Sequence, residues 1–407
     1  MKWSSRLLSL ALVGFYLPAF TDIPFGASAT LRWVLLGFLV IANLPNVTKA
    51  VRKIPIPVFI AVLGYCYYTL ISTAWSETPF LTFAKAGANA AVCLGFFLAG
   101  INLSVDELRE RFKSLTVVHA VFLVTSALTI FSAGAYNDGR FQGLTINPNW
   151  LASAVTFTAP AYLFAWANPS GTDGRSWRWF VALIAADSGI IALTQSRAAG
   201  VMFVIEILGL LMSLAPTKRW LILVASPPIV LLLILMFGQT INTGVQTYVY
   251  HGHDIVLQSR ADIWDISLEK AAAGGLLGFG YGISVGDTTG WNGALTTVGL
   301  TREKGSSQLA ILEELGVVGF GLYLMLMLSI VVAIMSSPVS GTMRYPFVAF
   351  VIGMIAHSAF ESYFTAPGAS ETVTFWLTVG LMFGSLSAGR DKVKAQLSRL
   401  ELSGQHG

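Results

Sequence analysis

LGVVGFGLYLMLMLSIVVAIM, residues 315–335, is an uninterrupted apolar run without a charged side chain. A helix needs about 20 such residues to cross the hydrocarbon core of a bilayer. Similar runs recur along nearly the whole chain, and short polar segments separate them. Because a spanning segment must satisfy its own backbone groups in lipid, the predicted fold class is all-α, a polytopic membrane helix bundle.

The apolar runs predict about twelve transmembrane helices in a single integral membrane domain, residues 1–407. The predicted spans are 5–20, 31–46, 56–74, 81–101, 115–135, 150–168, 178–194, 198–214, 219–238, 308–335, 345–363 and 371–388. The first span also has features of a signal peptide, because Lys2 and Arg6 precede it and Ala27–Ala29 offers a cleavage site. We expect it to remain as a helix.

Composition excludes several classes of protein. The chain is 55% hydrophobic and 11% charged, which is too few ionic groups to cover a soluble globule. Its basic residues are dispersed, so lipid is the expected partner and nucleic acid is not. Cys66 and Cys93 both lie in apolar runs and indicate neither a disulfide framework nor a metal site. No metal and no cofactor are predicted.

Basic residues set the predicted orientation, because cytoplasmic connections of membrane proteins are enriched in Lys and Arg. With a cytoplasmic amino terminus, most of the 25 basic residues fall in the tails and the even-numbered connections: Lys2, Arg6, Lys49, Arg52, Lys53, Arg109, Arg111, Lys113, Arg175, Arg178, Lys218, Arg219, Arg344, Arg390, Lys392, Lys394 and Arg399. The long connection at residues 239–307 then lies outside the cytoplasm.

This large extracytoplasmic loop, residues 239–307, has predicted internal order. Ser259 to Asp262 matches a helix N-cap with an acid at the third helical position. An apolar face follows and ends at a glycine pair; its residues are Ile263, Trp264, Ile266, Leu268 and Ala271. We therefore expect an amphipathic helix against the membrane face of the bundle. The glycine-rich turn GGLLGFGYG, residues 274–282, should allow close approach of the loop to substrate or membrane.

Seven basic residues oppose the charge bias: Arg32, Arg140, Arg197, Arg260, Lys270, Arg302 and Lys304. Three of the arginines share a setting that suggests a site. Arg140 lies in GRFQGLTINPNW, Arg197 in LTQSRAAG and Arg260 in QSRADIW. Guanidinium groups have forked donors that match carboxylate and phosphate, so three converging arginines would bind an anion. The alternative is that each reaches the membrane interface or pairs with a nearby acid such as Asp138 or Asp262.

Other polar residues have two interpretations. Asn147 and Asn149 flank a proline, and they either start the next helix or bind sugar and phosphate through their amides. Lys85, Asp187 and Glu206 lie inside predicted spans, where ionisable groups are functional or paired with one another. We expect these three to be paired in the bundle interior.

Four motifs follow one another along the chain. They are R-x-x-G-x-x-x-N-P-N at Arg140–Asn149, T-x-S-R at Thr194–Arg197, S-R-x-x-x-W at Ser259–Trp264 and L-x-x-L-x-E-L-G-x-x-G at Leu309–Gly319. Each motif alone is weak. Their order and spacing, together with the large loop, resemble the bacterial O-antigen ligase and polysaccharide polymerase superfamily.

The resemblance implies a metal-independent membrane glycosyltransferase of the GT-C type in a bacterial inner membrane, with its active site facing the periplasm. The donor would be a polyprenyl-diphosphate-linked glycan and the acceptor a glycan or glycolipid of surface polysaccharide biosynthesis. In that family the arginines matching Arg140, Arg197 and Arg260 hold the carrier diphosphate. The predicted substrate-binding residues are Arg140, Asn147, Asn149, Ser196, Arg197, Arg260, Trp264 and Glu361.

One departure from the family concerns the catalytic base. Ligases of this family have a His-Asn pair where this chain has Gly305-Ser306-Ser307-Gln308. Glu303 and His253 are the predicted catalytic residues in its place, with His251 a further candidate and solvated loop residues the alternative. The absent histidine favours a polymerase, and a ligase that transfers the glycan to lipid A core remains the alternative.

A polymerase takes both donor and acceptor from lipid carriers, so it needs two anionic sites. Arg302 and Lys304 are predicted to serve the second carrier, and solvated placement is again the alternative. A different class of protein would use the same arginines: a transporter or flippase for lipid-linked sugars. Transporters favour repeated halves and a binding site near the bilayer midplane, and this sequence has no detectable repeat.

Overall fold

The computed structural model describes residues 2–16, 25–103, 105–167, 177–214, 258–283, 304–337 and 341–404. Within these ranges the chain is mostly helical. The helices are α1 Lys2–Tyr16, α2 Phe25–Asn43, α3 Val47–Lys53, α4 Ile56–Ile71, α5 Pro79–Ile101, α6 Val105–Leu128, α7 Pro148–Thr158, α8 Pro160–Ala167, α9 Trp177–Thr194, α10 Arg197–Ser213, α11 Gln258–Gly274, α12 Ser307–Met335, α13 Gly341–Ser358 and α14 Ser370–Gly404. The strands β1 Tyr136–Asn137 and β2 Arg140–Phe141 form a hairpin.

The described helices identify a membrane protein. Five helical stretches among them are long and apolar enough to cross a bilayer: Thr30–Lys53, Ile56–Ala74, Pro79–Ile101, Glu110–Leu128 and Ser307–Met335. Every predicted span except 219–238 overlaps a described helix. Residues 219–238 lie outside the described part of the chain, as do 239–257 and 284–303 of the predicted loop.

Glycines in several helices allow the backbones of neighbouring helices to come into direct contact. A Cβ placed on Gly100 of α5 would lie 2.8 Å from the Leu377 carbonyl oxygen of α14, and one on Gly380 would lie 2.4 Å from the Phe97 carbonyl oxygen. Small residues at such crossings allow the close van der Waals packing that holds membrane helices together. The α5–α14 pair is therefore a central contact of the bundle.

The bundle has two ends, which we define by α5. At the basic end, the Lys53 ammonium donates to the Ile101 carbonyl at the end of α5 (2.8 Å), and the Arg111 guanidinium donates to Ser9 Oγ (2.6 Å). At the loop end, the Tyr281 amide donates to Ser72 Oγ (3.0 Å), close to where α5 begins. The 23 residues of α5 separate the two ends by about 34 Å.

Helix α12 is interrupted at Gly316, which has φ 65° and ψ −167°. The glycine-rich turn fills the interruption: the Phe279 and Gly280 amides donate to the Glu313 and Glu314 carbonyls (3.1 and 2.8 Å). In the other direction, the Val317 and Val318 amides donate to the Gly275 and Leu276 carbonyls (3.2 and 3.1 Å). A broken helix persists at membrane depth when protein groups satisfy its freed backbone in this way. The sequence predicts close approach of this turn to substrate or membrane, and the contacts described for it are instead with the backbone of α12.

Helix α11 ends as predicted but packs through a different face. It ends at Gly274, and Gly275 has the positive φ of 59° that favours glycine after a helix. Ile266 and Leu268 of the predicted apolar face are 42% and 52% exposed, whereas Ser267 between them is buried. The Ser267 hydroxyl donates to the Lys304 carbonyl (3.0 Å), so this side of α11 packs on the segment that leads into α12.

The intramembrane ionisable residues find partners other than one another. His119 lies 2.9 Å from Asp187 Oδ1, and the Tyr162 hydroxyl donates to Asp187 Oδ2 (2.6 Å). The Lys85 ammonium donates to the Gly282 carbonyl. Both carboxyl oxygens of buried Glu206 are without a hydrogen-bond partner among the described residues. The expected pairing in the bundle interior is therefore confirmed for Asp187, with His119 as its partner, and is wrong for Glu206.

Candidate functional site

The β-hairpin places Arg140 at the loop end. Asp138 and Gly139 between the strands have φ of 50° and 74°, the two positive values of a tight hairpin turn, for which Asp-Gly is a favoured pair. The Arg140 Nε then donates to the Thr194 carbonyl (2.9 Å), at the end of α9. Because the carboxyl end of a helix carries partial negative charge, this contact fixes the guanidinium favourably.

Asn149 connects this arginine to an acid. The Arg140 Nη2 donates to Asn149 Oδ1 (2.6 Å), and Asn149 Nδ2 donates to Glu361 Oε1 (3.1 Å). All three side chains are partly exposed. Three regions that are distant in sequence therefore meet through one chain of hydrogen bonds: the hairpin with the start of α7, the end of α9, and the turn after α13.

The two asparagines of the N-P-N motif have separate roles. Asn147 Oδ1 accepts from the Asn149 amide (2.7 Å), which makes Asn147 the N-cap of α7. Pro148 occupies the first helical position, where its missing N–H costs nothing. For Asn147 the structure supports helix initiation, and for Asn149 it supports a place in the site.

Arg197 begins α10 next to the same point. Only Gln195 and Ser196 separate it from Thr194, and Gln195 takes a φ of 54° in the tight turn between α9 and α10. Ser196 is the N-cap residue and is 4% exposed. Arg197 is half-buried at a helix amino terminus, where free N–H groups already favour an anion.

Trp264 of α11 packs on the segment that leads into α12. Its indole Nε1 donates to the Gly305 carbonyl (3.3 Å), and its ring centroid lies 5.7 Å from that of Phe360. Ser307 Oγ in turn donates to the Glu361 carbonyl (2.7 Å). These contacts bring the third and fourth motifs to the turn that holds Glu361.

Residues 305–308, where the sequence resemblance leads us to look for a histidine, make structural contacts. Gly305 has φ 62°, and a Cβ on it would lie 2.7 Å from Ile263 Cγ2, so a side chain does not fit there. Ser306 caps α12 by accepting from the Leu309 amide (3.4 Å). Gln308 Nε2 donates to Ser358 Oγ (2.8 Å) and to the Ile355 carbonyl (3.0 Å). No titratable side chain therefore stands at residues 305–308.

Lys304 is not a free cation of the loop. Its side chain is 6% exposed and lies 2.5 Å from Glu314 Oε1 and 3.8 Å from Glu313 Oε2. The same ammonium donates to the Ile283 carbonyl (2.9 Å), and Glu314 Oε2 accepts from the Gly282 amide (2.6 Å). The prediction that Lys304 serves a second lipid carrier is wrong, because this buried ion pair occupies it.

Several predicted residues fall elsewhere. Arg260 lies in the first turn of α11, one turn before Trp264, and its side chain lies outside the described part of the structure. His253 and Glu303, the two predicted catalytic residues, also lie outside the described residues, as does Arg302.

Sequence reasoning missed Thr194, Ser307 and Phe360 as parts of the site. Thr194 contributes a backbone carbonyl, for which its residue type is no signal. Phe360 directly precedes Glu361 in AHSAFESYF, and its aromatic ring near a polar turn was an available signal.

The arrangement can bind an anion and orient a hydroxyl. Arg140 supplies a fixed cation, Asn149 an amide and Glu361 a carboxylate hydrogen-bonded to that amide, and Arg197 supplies a second cation at the start of α10, next to Thr194 in the chain. Among the described residues, no group of three or more His, Cys, Asp or Glu side chains could hold a metal ion. No protein-family model matches the chain, and the search of curated proteins gives no match.

Proposed function

We propose that this protein transfers a glycan from a polyprenyl diphosphate carrier to an acceptor sugar, outside the cytoplasm, during surface polysaccharide synthesis. The observation that carries the proposal is the convergence of Arg140, Asn149 and Glu361, with Arg197 adjacent, at one end of a membrane helix bundle. Polymerisation is favoured over ligation to lipid A core, because residues 305–308 contain no histidine.

The proposed chemistry uses the cations on the leaving group. In the transfer, the bond between the sugar anomeric carbon and the diphosphate oxygen breaks, and the acceptor hydroxyl oxygen forms the new glycosidic bond. The diphosphate gains negative charge as it departs, and preorganised arginines stabilise that charge more in the transition state than in the ground state. The acceptor proton passes to a carboxylate or histidine of the loop, for which Glu303 and His253 are the candidates.

The proposed setting is a bacterial inner membrane crossed about twelve times, with the loop end in the periplasm. Lys53 and Arg111 lie at the opposite, basic end, as the enrichment of cations in cytoplasmic connections requires. The segment 239–307, with α11 inside it, is then the large extracytoplasmic loop. In this orientation the arginines face the compartment where carrier-linked glycans are polymerised.

The test is a charge-preserving substitution. Arg197→Lys and Arg260→Lys should each abolish polymer formation at normal abundance in the membrane, because an ammonium cannot reproduce the forked contact with a diphosphate. Arg178→Lys, at the start of α9 and on no motif, is the matched control and should retain activity. Polymer length on gels of surface polysaccharide is the readout, and full activity with Lys at both positions would contradict a diphosphate clamp.

A second candidate, a transporter of lipid-linked sugars, has its own supporting observation. Helix α12 is discontinuous, and His119 and Asp187 form a buried pair in the middle of their helices, both features that transporters use. The arginines, however, lie in the β-hairpin and in the first turns of α10 and α11, and not near the middle of the bundle. Transfer therefore remains the favoured function. Accumulation of untransported lipid-linked sugar on the cytoplasmic side in a deletion strain would favour the transporter instead.

A further inference from the structure

An apolar crevice opens on the side of the bundle, and none of the candidate-site residues Arg140, Asn149, Arg197 and Glu361 lines it. It lies between α1, α6, α7, α8 and α14 and has a volume of about 400 Å³. Pockets for small molecules have volumes of about 300–1,000 Å³. The crevice is therefore large enough to hold a defined ligand.

The crevice faces lipid. Val13 of α1 and Val118 of α6 stand at its mouth and are 56% and 60% exposed. Its walls are aliphatic and aromatic, with Leu12, Phe112 and Phe157 among the lining residues. In a bilayer such a mouth opens to acyl chains and not to water.

Polar side chains along the wall are already hydrogen-bonded to one another. His119 Nδ1 lies 2.7 Å from Thr158 Oγ1, and the Tyr16 hydroxyl lies 2.7 Å from Thr374 Oγ1. They present satisfied groups to the crevice, which consequently suits a hydrocarbon chain better than a polar ligand.

The length of the crevice matches one leaflet. Its lining residues on α6 extend from Arg111 to Phe122, about 16 Å along the helix at 1.5 Å per residue. Half of the hydrocarbon core of a bilayer measures about 15 Å. A chain that enters from the basic end would therefore reach the bilayer centre.

A cation marks the basic end of the crevice. Arg111 lines it and donates to Ser9 Oγ (2.6 Å), with Ser114 also in the lining. Glu107, one turn earlier on α6, is its acidic neighbour. Basic pockets between helices on the cytoplasmic side of membrane proteins bind anionic lipid head groups.

From this geometry we infer that an anionic phospholipid of the leaflet at the basic end occupies the crevice, with one acyl chain between α1 and α6 and its phosphate at Arg111. Arg111 contacts the phosphate oxygens through its forked donors, and the head group competes with Glu107 for them. The two serines lie beside the phosphate and accept or donate further hydrogen bonds. This site is independent of the proposed glycosyl transfer.

The test measures which lipid the purified full-length chain retains. The delipidated protein is mixed with phosphatidylglycerol or with phosphatidylcholine, and bound lipids are counted by native mass spectrometry. We expect one phosphatidylglycerol per chain, retained about tenfold better than phosphatidylcholine, because the choline ammonium offsets the phosphate charge beside Arg111 and the glycerol head group carries no cation. Arg111→Gln should remove this preference. Lys113→Gln, an exposed cation on the same helix that does not line the crevice, should leave it unchanged.

Substitutions that fill the crevice distinguish lipid bound inside it from lipid that surrounds the protein nonspecifically. Ala154→Phe places a ring inside it, and Val118→Trp blocks the mouth at an exposed position that tolerates change. Either variant, with an unchanged thermal unfolding midpoint, should lose the retained phosphatidylglycerol. Equal retention of both lipids, unchanged retention in both filled variants, or retention of an added polyprenyl phosphate in preference to phosphatidylglycerol would each overturn the inference.

Discussion

A single amide at Asn149 joins a cation to an acid. Its oxygen accepts from Arg140 and its nitrogen donates to Glu361, so the amide uses both of its hydrogen-bonding ends at once. Asn149 therefore places the Arg140 guanidinium and the Glu361 carboxylate on either side of one amide.

Asn149→Asp should reduce glycosyl transfer about tenfold to a hundredfold. The new carboxylate still accepts from Arg140, but it cannot donate to Glu361 and it repels that acid. Hydrogen bonds to charged groups contribute about 1.5–3 kcal/mol, which corresponds to this range of rates. Polymer synthesis in membranes containing equal amounts of protein is the measurement.

Asn147→Asp is the matched control two residues away. Aspartate caps a helix as well as asparagine does, so this variant should remain active and stable. Equal activity in the two variants would mean that Asn149 has no part in the site.

At the residue scale, the sequence predicted the type of side chain better than its role. Arg140 stood out because a cation in an extracytoplasmic connection needs a purpose. The two asparagines could not be told apart, since both interpretations fit the same N-P-N motif. The role predicted for Lys304 was wrong because its partner, Glu314, lies ten residues further along the chain in α12. The pairing also depends on the turn at Gly282, whose amide donates to the same carboxylate.

Two elements of the loop end are held together by one buried ion pair. Glu314 of α12 accepts from both Lys304 and the Gly282 amide, so it anchors the two described ends of the segment between residues 283 and 304. The chain that leaves this anchor contacts Trp264 through Gly305 and Glu361 through Ser307. The ion pair thereby orients the part of the site that precedes α12.

Lys304→Met should sharply lower the abundance of the protein, and Lys304→Met combined with Glu314→Gln should restore much of it. The single change leaves a buried carboxylate without its cation, which costs about 3–5 kcal/mol. The double change removes that charge and keeps an oxygen for the Gly282 amide. Folded protein after detergent extraction, measured by size-exclusion chromatography, tests this order.

Activity of the double variant separates positioning from stability. Transfer should stay low even where abundance recovers, because residues 304–307 are no longer fixed against Trp264 and Glu361. The exposed pair Glu269–Lys270 on α11 gives the control, and Glu269→Gln with Lys270→Met should change neither property. Full activity in the Lys304–Glu314 double variant would restrict that pair to a structural role.

At the scale of elements, helices were predictable and their interruptions were not. Gly274 and Gly275 marked the end of α11 because they follow an amphipathic pattern directly. The break at Gly316 gave no comparable signal, since glycines are frequent inside membrane helices. The break arises from a contact with residues distant in sequence. The Leu276 carbonyl oxygen lies 2.3 Å from the position that a Cβ on Gly316 would take.

At the scale of the whole molecule, hydropathy predicted a helical membrane protein because the signal adds up over about 20 residues per span. The meeting of distant motifs at one end followed from alternating helix directions. The individual contacts between the motifs could not be predicted, because they involve backbone atoms whose role does not depend on residue type. The Arg140 donation to the Thr194 carbonyl is an example.

The orientation of the bundle leads to a labelling prediction. Two exposed residues are replaced by cysteine in separate variants. Glu269→Cys is on α11 at the loop end, and Lys49→Cys is at the basic end. The native Cys66 and Cys93 are buried and should react slowly. An impermeant thiol reagent should label Glu269→Cys in intact cells with a permeabilised outer membrane, and Lys49→Cys only after lysis. The reverse pattern would invert the orientation.

Under the proposed function, ligation and polymerisation differ in what a deletion strain accumulates. A ligase must activate a hydroxyl on lipid A core, and Gly305 has no room for a side chain while Ser306 caps α12, so neither position offers a base. A polymerase instead joins two carrier-linked glycans, so its loss stops chain growth and leaves attachment intact. Deletion should therefore leave single repeat units on the carrier or on lipid. Mass spectrometry of the carrier fraction and polysaccharide gels distinguish the outcomes, and full-length polymer accumulating on the carrier would assign ligation instead.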